Sequence, residues 1–60
     1  MDDVREKRKI LGWSRAELAV RAHVDPRTLQ LLELGESEDT EARERVLAVL
    51  DAALADRLDA

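Results

Sequence analysis

The chain has no cysteine, phenylalanine or tyrosine, one tryptophan, one proline and two glycines. Without cysteine, neither a disulfide framework nor a thiolate zinc cluster can hold it together. Trp13 is the single aromatic residue. Two glycines cannot form a glycine-rich phosphate loop, because each stands where a helix is expected to stop. No run approaches the ~20 apolar residues of a membrane span. The charged N-terminal stretch (Asp2, Asp3, Arg5, Lys7, Arg8, Lys9) leads into no apolar segment of the kind a secretory leader needs. A soluble cytoplasmic protein is therefore expected. No Ser/His/Asp constellation, metal-ligand spacing or cofactor fingerprint is present, so the chain is expected to be neither an enzyme nor a metal or cofactor protein.

What is present is helix-forming: Ala, Leu, Arg, Glu and Asp dominate, and Val is the main β-branched type. Sixty residues allow one small core. A domain of that size buries only about 60% of its unfolded surface, so idealised helix packing or self-association must supply stability. The net charge of -4 is unevenly spread. Residues 1–32 carry seven Lys/Arg against five Asp/Glu, and residues 33–60 carry three against nine. The first half is thus suited to approach phosphate, and the second is repelled by it.

Helix signals recur along the chain. The first helix is expected from Asp2 to Leu11, with Val4, Leu11 and Ile10 inward, the stems of Lys7 and Arg8 over the core edge, and Asp3 paired with Lys7. Gly12 stops it. Ser14 followed by Glu17 has the spacing of a capping box, starting a second helix that reaches about Ala22. Leu18, Ala19 and Ala22 form its inner face, and Glu17 and Arg21 pair outside. Asp25 followed by Pro26 starts a third helix that Gly35 ends. Leu29 and Leu32 mark one face of this helix; Arg27, Gln30, Leu31 and Leu34 mark the other. The acidic run 36-ESEDTE-41 leads into a fourth helix that extends to about Arg57, after which Leu58–Ala60 is expected to fray. Its apolar stripe comprises Val46, Leu47, Val49, Leu50, Ala53 and Leu54, with Ala48, Ala52 and Ala55 widening it. The expected organisation is one domain, residues 1–60, with a helix-turn-helix over about 15–35 and a packing or dimerisation helix over about 40–58.

Two helices crossing at a short corner require a small residue at the crossing, an apolar plug after the corner and paired anchors on the second helix. Ala19, Val24, and Leu29 with Leu32 meet these needs. Arg8, 11-LGWSRAELA-19, 22-AHV-24 and 28-TLQLLELGE-36 together resemble the phage-repressor-like (Xre/Cro-type) helix-turn-helix family. The resemblance implies an all-α, lambda-repressor-like bundle of four to five helices whose third helix enters the major groove of double-stranded DNA as a transcriptional regulator. It also implies phosphate contacts from Ser14 and Arg15, and base-edge contacts from Arg27, Thr28, Gln30 and Leu31. Arg suits guanine O6/N7 and Gln suits adenine N6/N7. A homodimer through the C-terminal helix would match an inverted-repeat site.

The chain departs from the family pattern in four places. His23 stands where Gly is usual, Arg15 replaces a common Gln, Leu31 stands where Arg is frequent, and carboxylates crowd 36–41. A second reading follows from the last two: a protein-interaction module on the same scaffold, using Leu31, Leu34 and the acidic 36–41 segment to bind a protein partner. Trp13 is expected to plug the core beside the second helix rather than stack on bases. His23 is expected to serve the corner rather than a metal.

Overall fold

The computed structural model describes the backbone of residues 3–59 and the side chains of 4–57. Among these residues the chain forms α1 (Asp3–Leu11), α2 (Arg15–Ala22), α3 (Pro26–Glu33) and α4 (Thr40–Asp59). The expected start at Asp2, the Asp3 carboxylate as partner of Lys7, and the end of the tail at Ala60 lie outside the described residues. α4 continues past Arg57 through Leu58 and Asp59, where fraying was expected.

Three helix ends share one device. At each, one residue takes a positive φ: Gly12 at 72°, His23 at 56° and Gly35 at 75°. This turns the chain so that two backbone N–H groups reach back to the last helical carbonyls. Gly12 N–H donates to Lys9 O and Trp13 N–H to Arg8 O. His23 N–H donates to Val20 O and Val24 N–H to Ala19 O. Gly35 N–H donates to Leu32 O and Glu36 N–H to Leu31 O. The repeated motif explains how three short helices fit into so little chain with almost no connecting residues. It also explains Trp13 and Val24, which directly follow the left-handed residue and pack half-buried against the core.

Ser14 and Asp25 cap their helices as the sequence implies, but the reciprocal half of the capping box, from Ser14 N–H to Glu17, is not formed. Ser14 Oγ accepts from Glu17 N–H at 3.0 Å, and Asp25 Oδ1 accepts from Arg27 N–H at 2.8 Å. The Glu17 carboxylate turns forward to Arg21 Nε, 3.0 Å away, forming the expected i,i+4 pair. The acidic run is divided between loop and helix. Asp39 Oδ1 accepts from Ala42 N–H at 3.0 Å and so caps α4, while Thr40 and Glu41 belong to its first turn.

The core is built from Val4, Leu18, Ala19, Ala22, Leu29, Leu32, Ala42, Val46 and Leu50. Two expectations change. Ile10 is 57% exposed, because its neighbours Val4 and Leu11 already occupy the inward arc of α1. Ala48, Ala52 and Ala55 face solvent instead of widening the core stripe. A step of about 100° per residue carries them onto the flank away from Val46 and Leu50. Ala42, one turn before Val46, takes the inward place instead.

α1 and α4 are fastened by polar contacts at two levels. Lys7 Nζ lies 2.6 Å from Asp51 Oδ1, and Arg57 donates to the carbonyl of Ile10 near the end of α1.

Candidate nucleic-acid interface

The last turn of α3 is fastened to α1 and to the start of α2 by a buried carboxylate. Glu33 lies one residue after Leu32 and four after Leu29, on the inward face of α3, and is 7% exposed. A buried carboxylate needs a charged, hydrogen-bonding partner to offset its lost hydration. Arg8 supplies one in fork geometry: Nε to Oε2 at 3.1 Å and Nη2 to Oε1 at 3.1 Å. The remaining Nη1 donates to the carbonyl of Trp13 at 3.0 Å. One guanidinium therefore ties α1, the α1–α2 turn and the last turn of α3 together.

Arg15 joins the same carboxylate from outside. Its Nε lies 3.6 Å from Glu33 Oε1, and its side chain remains 46% exposed. The cluster of Arg8, Arg15 and Glu33 carries one net positive charge, presented at the start of α2 through Arg15. Beside it, Trp13 packs against the core while the Arg21 guanidinium lies 4.5 Å from the centre of its ring. That arrangement places Trp13 in the expected plug position.

The outward face of α3 is built by its inward one. With Leu29, Leu32 and Glu33 buried, the positions i, i+3, i+4 and i+7 from Arg27 form a stripe on the opposite side. Arg27 and Gln30 are exposed, Leu31 is half-buried, and Leu34 is 63% exposed. The Arg27 side chain has no ion-pair partner among the described residues. Ser14, at the start of α2, is exposed. Thr28 is set back, half-buried in an open cleft of about 250 Å³ that also contains His23, Asp25, Asp39, Glu41 and Arg45. Arg45 there pairs with Glu41 at 3.1 Å. The three carboxylates give this end of α3 a negative border, in contrast to the positive one at Arg15.

The sequence reading missed Glu33 as a site. Its signal was present, since a charged residue at i+4 from Leu29 on an apolar face calls for a partner. The partner, however, lies 25 residues away in α1. His23 adopts the left-handed conformation that the Gly-like corner position implied.

Among the described residues no helix is long and apolar enough to cross a membrane. A family model described as helix-turn-helix matches residues 4–55, which takes in α1 from its second residue, α2, α3 and most of α4. No curated protein and no solved structure matches the chain. The tight corner, the capped starts of α2 and α3 and the outward stripe on α3 agree with that match, and the chain belongs to the Xre and lambda-repressor type of helix-turn-helix family, a family of DNA-binding regulators.

Proposed function

We propose that this protein is a sequence-specific transcriptional regulator that lays α3 in the major groove of DNA. The observation that carries this is the stripe Arg27–Gln30–Leu31 on the solvent side of a helix whose other side is locked by Leu29, Leu32 and Glu33. Arg27 is an exposed guanidinium able to take guanine O6 and N7 together, and Gln30, one turn on, has the amide fork that suits adenine. Leu31 offers an apolar contact to a thymine methyl. Ser14 and Arg15 meet the backbone phosphates, which fix register without reading sequence. Thr28 supports the start of α3 beside the groove wall. Two copies joined through α4 would present two such helices about 34 Å apart, matched to an inverted repeat.

A titration of random duplex with falling salt tests this reading. Binding that strengthens linearly on a log–log plot, with a slope of about -0.9 per phosphate contacted, is the expected outcome. Selection from a random duplex library should then return an inverted repeat. A complete lack of binding at low salt overturns the reading.

One observation favours a second reading, a protein-interaction module. Leu34 is 63% exposed on the same face as Leu31, and Asp25, Asp39 and Glu41 border the cleft at Thr28. Under this reading Leu31→Arg abolishes capture of a protein partner while the fold is kept.

A further inference from the structure

Where α4 passes the end of α2, its small side chains leave a hollow. Ala48 and Val49 lie against Ala22 there, and the three form the base of an open groove of about 480 Å³. Arg21, His23 and Arg45 form its rim. The volume is that of a small-molecule site. The side chains of the base carry no hydrogen-bonding group, whereas those of the rim are all nitrogen donors or acceptors. None of these residues belongs to the Arg27–Gln30–Leu31 stripe, so the groove stands apart from the proposed DNA-reading face.

The rim suits one negative charge. Arg21 uses Nε on Glu17, and Arg45 uses one Nη on Glu41. A guanidinium has five N–H groups, so each keeps donors that no acceptor among the described residues takes. Both glutamates are exposed i,i+4 partners of the kind that contribute little, so either can yield to a better acceptor. The C-terminal end of a helix ordinarily repels an anion. At the end of α2, however, two of the last carbonyls are occupied: Ala19 O accepts from Val24 N–H and Val20 O from His23 N–H. We infer that the groove binds a small amphipathic anion, a free aliphatic carboxylate of medium chain length. Its tail lies on Ala22, Ala48 and Val49, and its head lies between Arg21 and Arg45. An aliphatic tail gains by leaving water for a base without polar groups, and a carboxylate matches the arginine fork. The net charge of -4 disfavours an anionic membrane surface, so the acid is taken from solution.

Trp13 reports binding without a label. It is the only tryptophan, and the Arg21 guanidinium lies 4.5 Å from its ring centre, so a head group that draws Arg21 toward the groove changes its emission. Octanoate titrated into the full chain should shift that emission saturably, in the millimolar range of so small a ligand. Backbone amide NMR shifts should gather at residues 21–23 and 45–49. Each methylene added from hexanoate to octanoate should tighten binding by up to about fourfold. Octylamine, with the same tail and the opposite charge, should bind about tenfold more weakly or worse. Arg45→Gln should weaken octanoate by about tenfold. Ala48→Gln lays a longer neutral side chain over the base from an exposed helical site, and should abolish binding while circular dichroism melting stays native. No saturable binding of octanoate overturns the inference. So does octylamine or acetate binding as tightly as octanoate, and so do amide shifts away from the groove or unchanged binding in folded Ala48→Gln. Tighter binding to phosphatidylglycerol vesicles than to octanoate overturns the free acid in favour of a lipid. Octanoate affinity that drops as the protein is concentrated overturns it in favour of a second copy of the chain.

Discussion

The two sides of α3 were made from one eight-residue segment and do opposite things. Inward, Leu29, Leu32 and Glu33 are buried, and Glu33 is gripped by a fork from Arg8. Outward, Arg27 and Gln30 stand in solvent. The inner side has no freedom to change, because its one charge is matched to an arginine of another helix. The outer side can vary with whatever it must recognise. A helix becomes a reading device when its packing and its recognition are separated in this way, since recognition residues can then be exchanged without loss of the fold.

The largest expected effect breaks the inner side. Glu33→Ala leaves the Arg8 guanidinium buried without its carboxylate, at a cost of about 3–5 kcal/mol. That is comparable to the whole stability a core of this size supplies, so urea unfolding should show loss of the cooperative transition. Leu29→Ala, by truncating a fully buried side chain, should cost about 2–5 kcal/mol in the same assay. The matching change on the outer side reverses the pattern. Arg27→Ala should weaken binding to the preferred duplex by about 1–3 kcal/mol and relax discrimination at one base. Its melting temperature should stay near that of the native chain. Equal binding by this variant, or a large fall in its stability, would erase the distinction drawn between the two sides.

Smaller effects test the edges that hold α3 between them. Asp25→Ala removes the oxygen that accepts from Arg27 N–H and should cost about 1 kcal/mol in thermal or urea unfolding. His23→Gly should act in the opposite sense. His23 occupies a left-handed backbone with φ 56°, where glycine carries no Cβ penalty. A gain of up to about 1 kcal/mol is expected, raising the melting temperature by up to ~4–8 °C in a domain this small. Little change in base preference should accompany it, because His23 lies off the Arg27–Gln30 stripe. A destabilised His23→Gly variant would show that the imidazole contributes more at the corner than its backbone conformation costs.

Much of the fold was legible before any coordinates. Ser14, Asp25 and Pro26 marked helix starts, and Gly12 and Gly35 marked ends, because each acts on backbone groups only a few residues away. The outward stripe on α3 followed from spacing alone. The misreadings were of another kind. Ile10 was placed inward and Ala48, Ala52 and Ala55 were assigned to the core stripe of α4, since an apolar residue on a helix does not declare which arc its neighbours will cover. Nor does spacing along α3 tell that the start of α4 folds back beside Thr28, leaving it half-buried at a cleft.

Helix boundaries, the corner and the division of α3 into two faces were thus determined by the sequence itself, through hydrogen bonds and periodicities that close within one or two turns. The choice of which carboxylate is buried and which arginine answers it belonged to the tertiary structure. Arg8 meets Glu33 across 25 residues and Lys7 meets Asp51 across 44. Such pairs form only after apolar packing has brought the helices together, because a charge accepts burial only where a partner is already held in place.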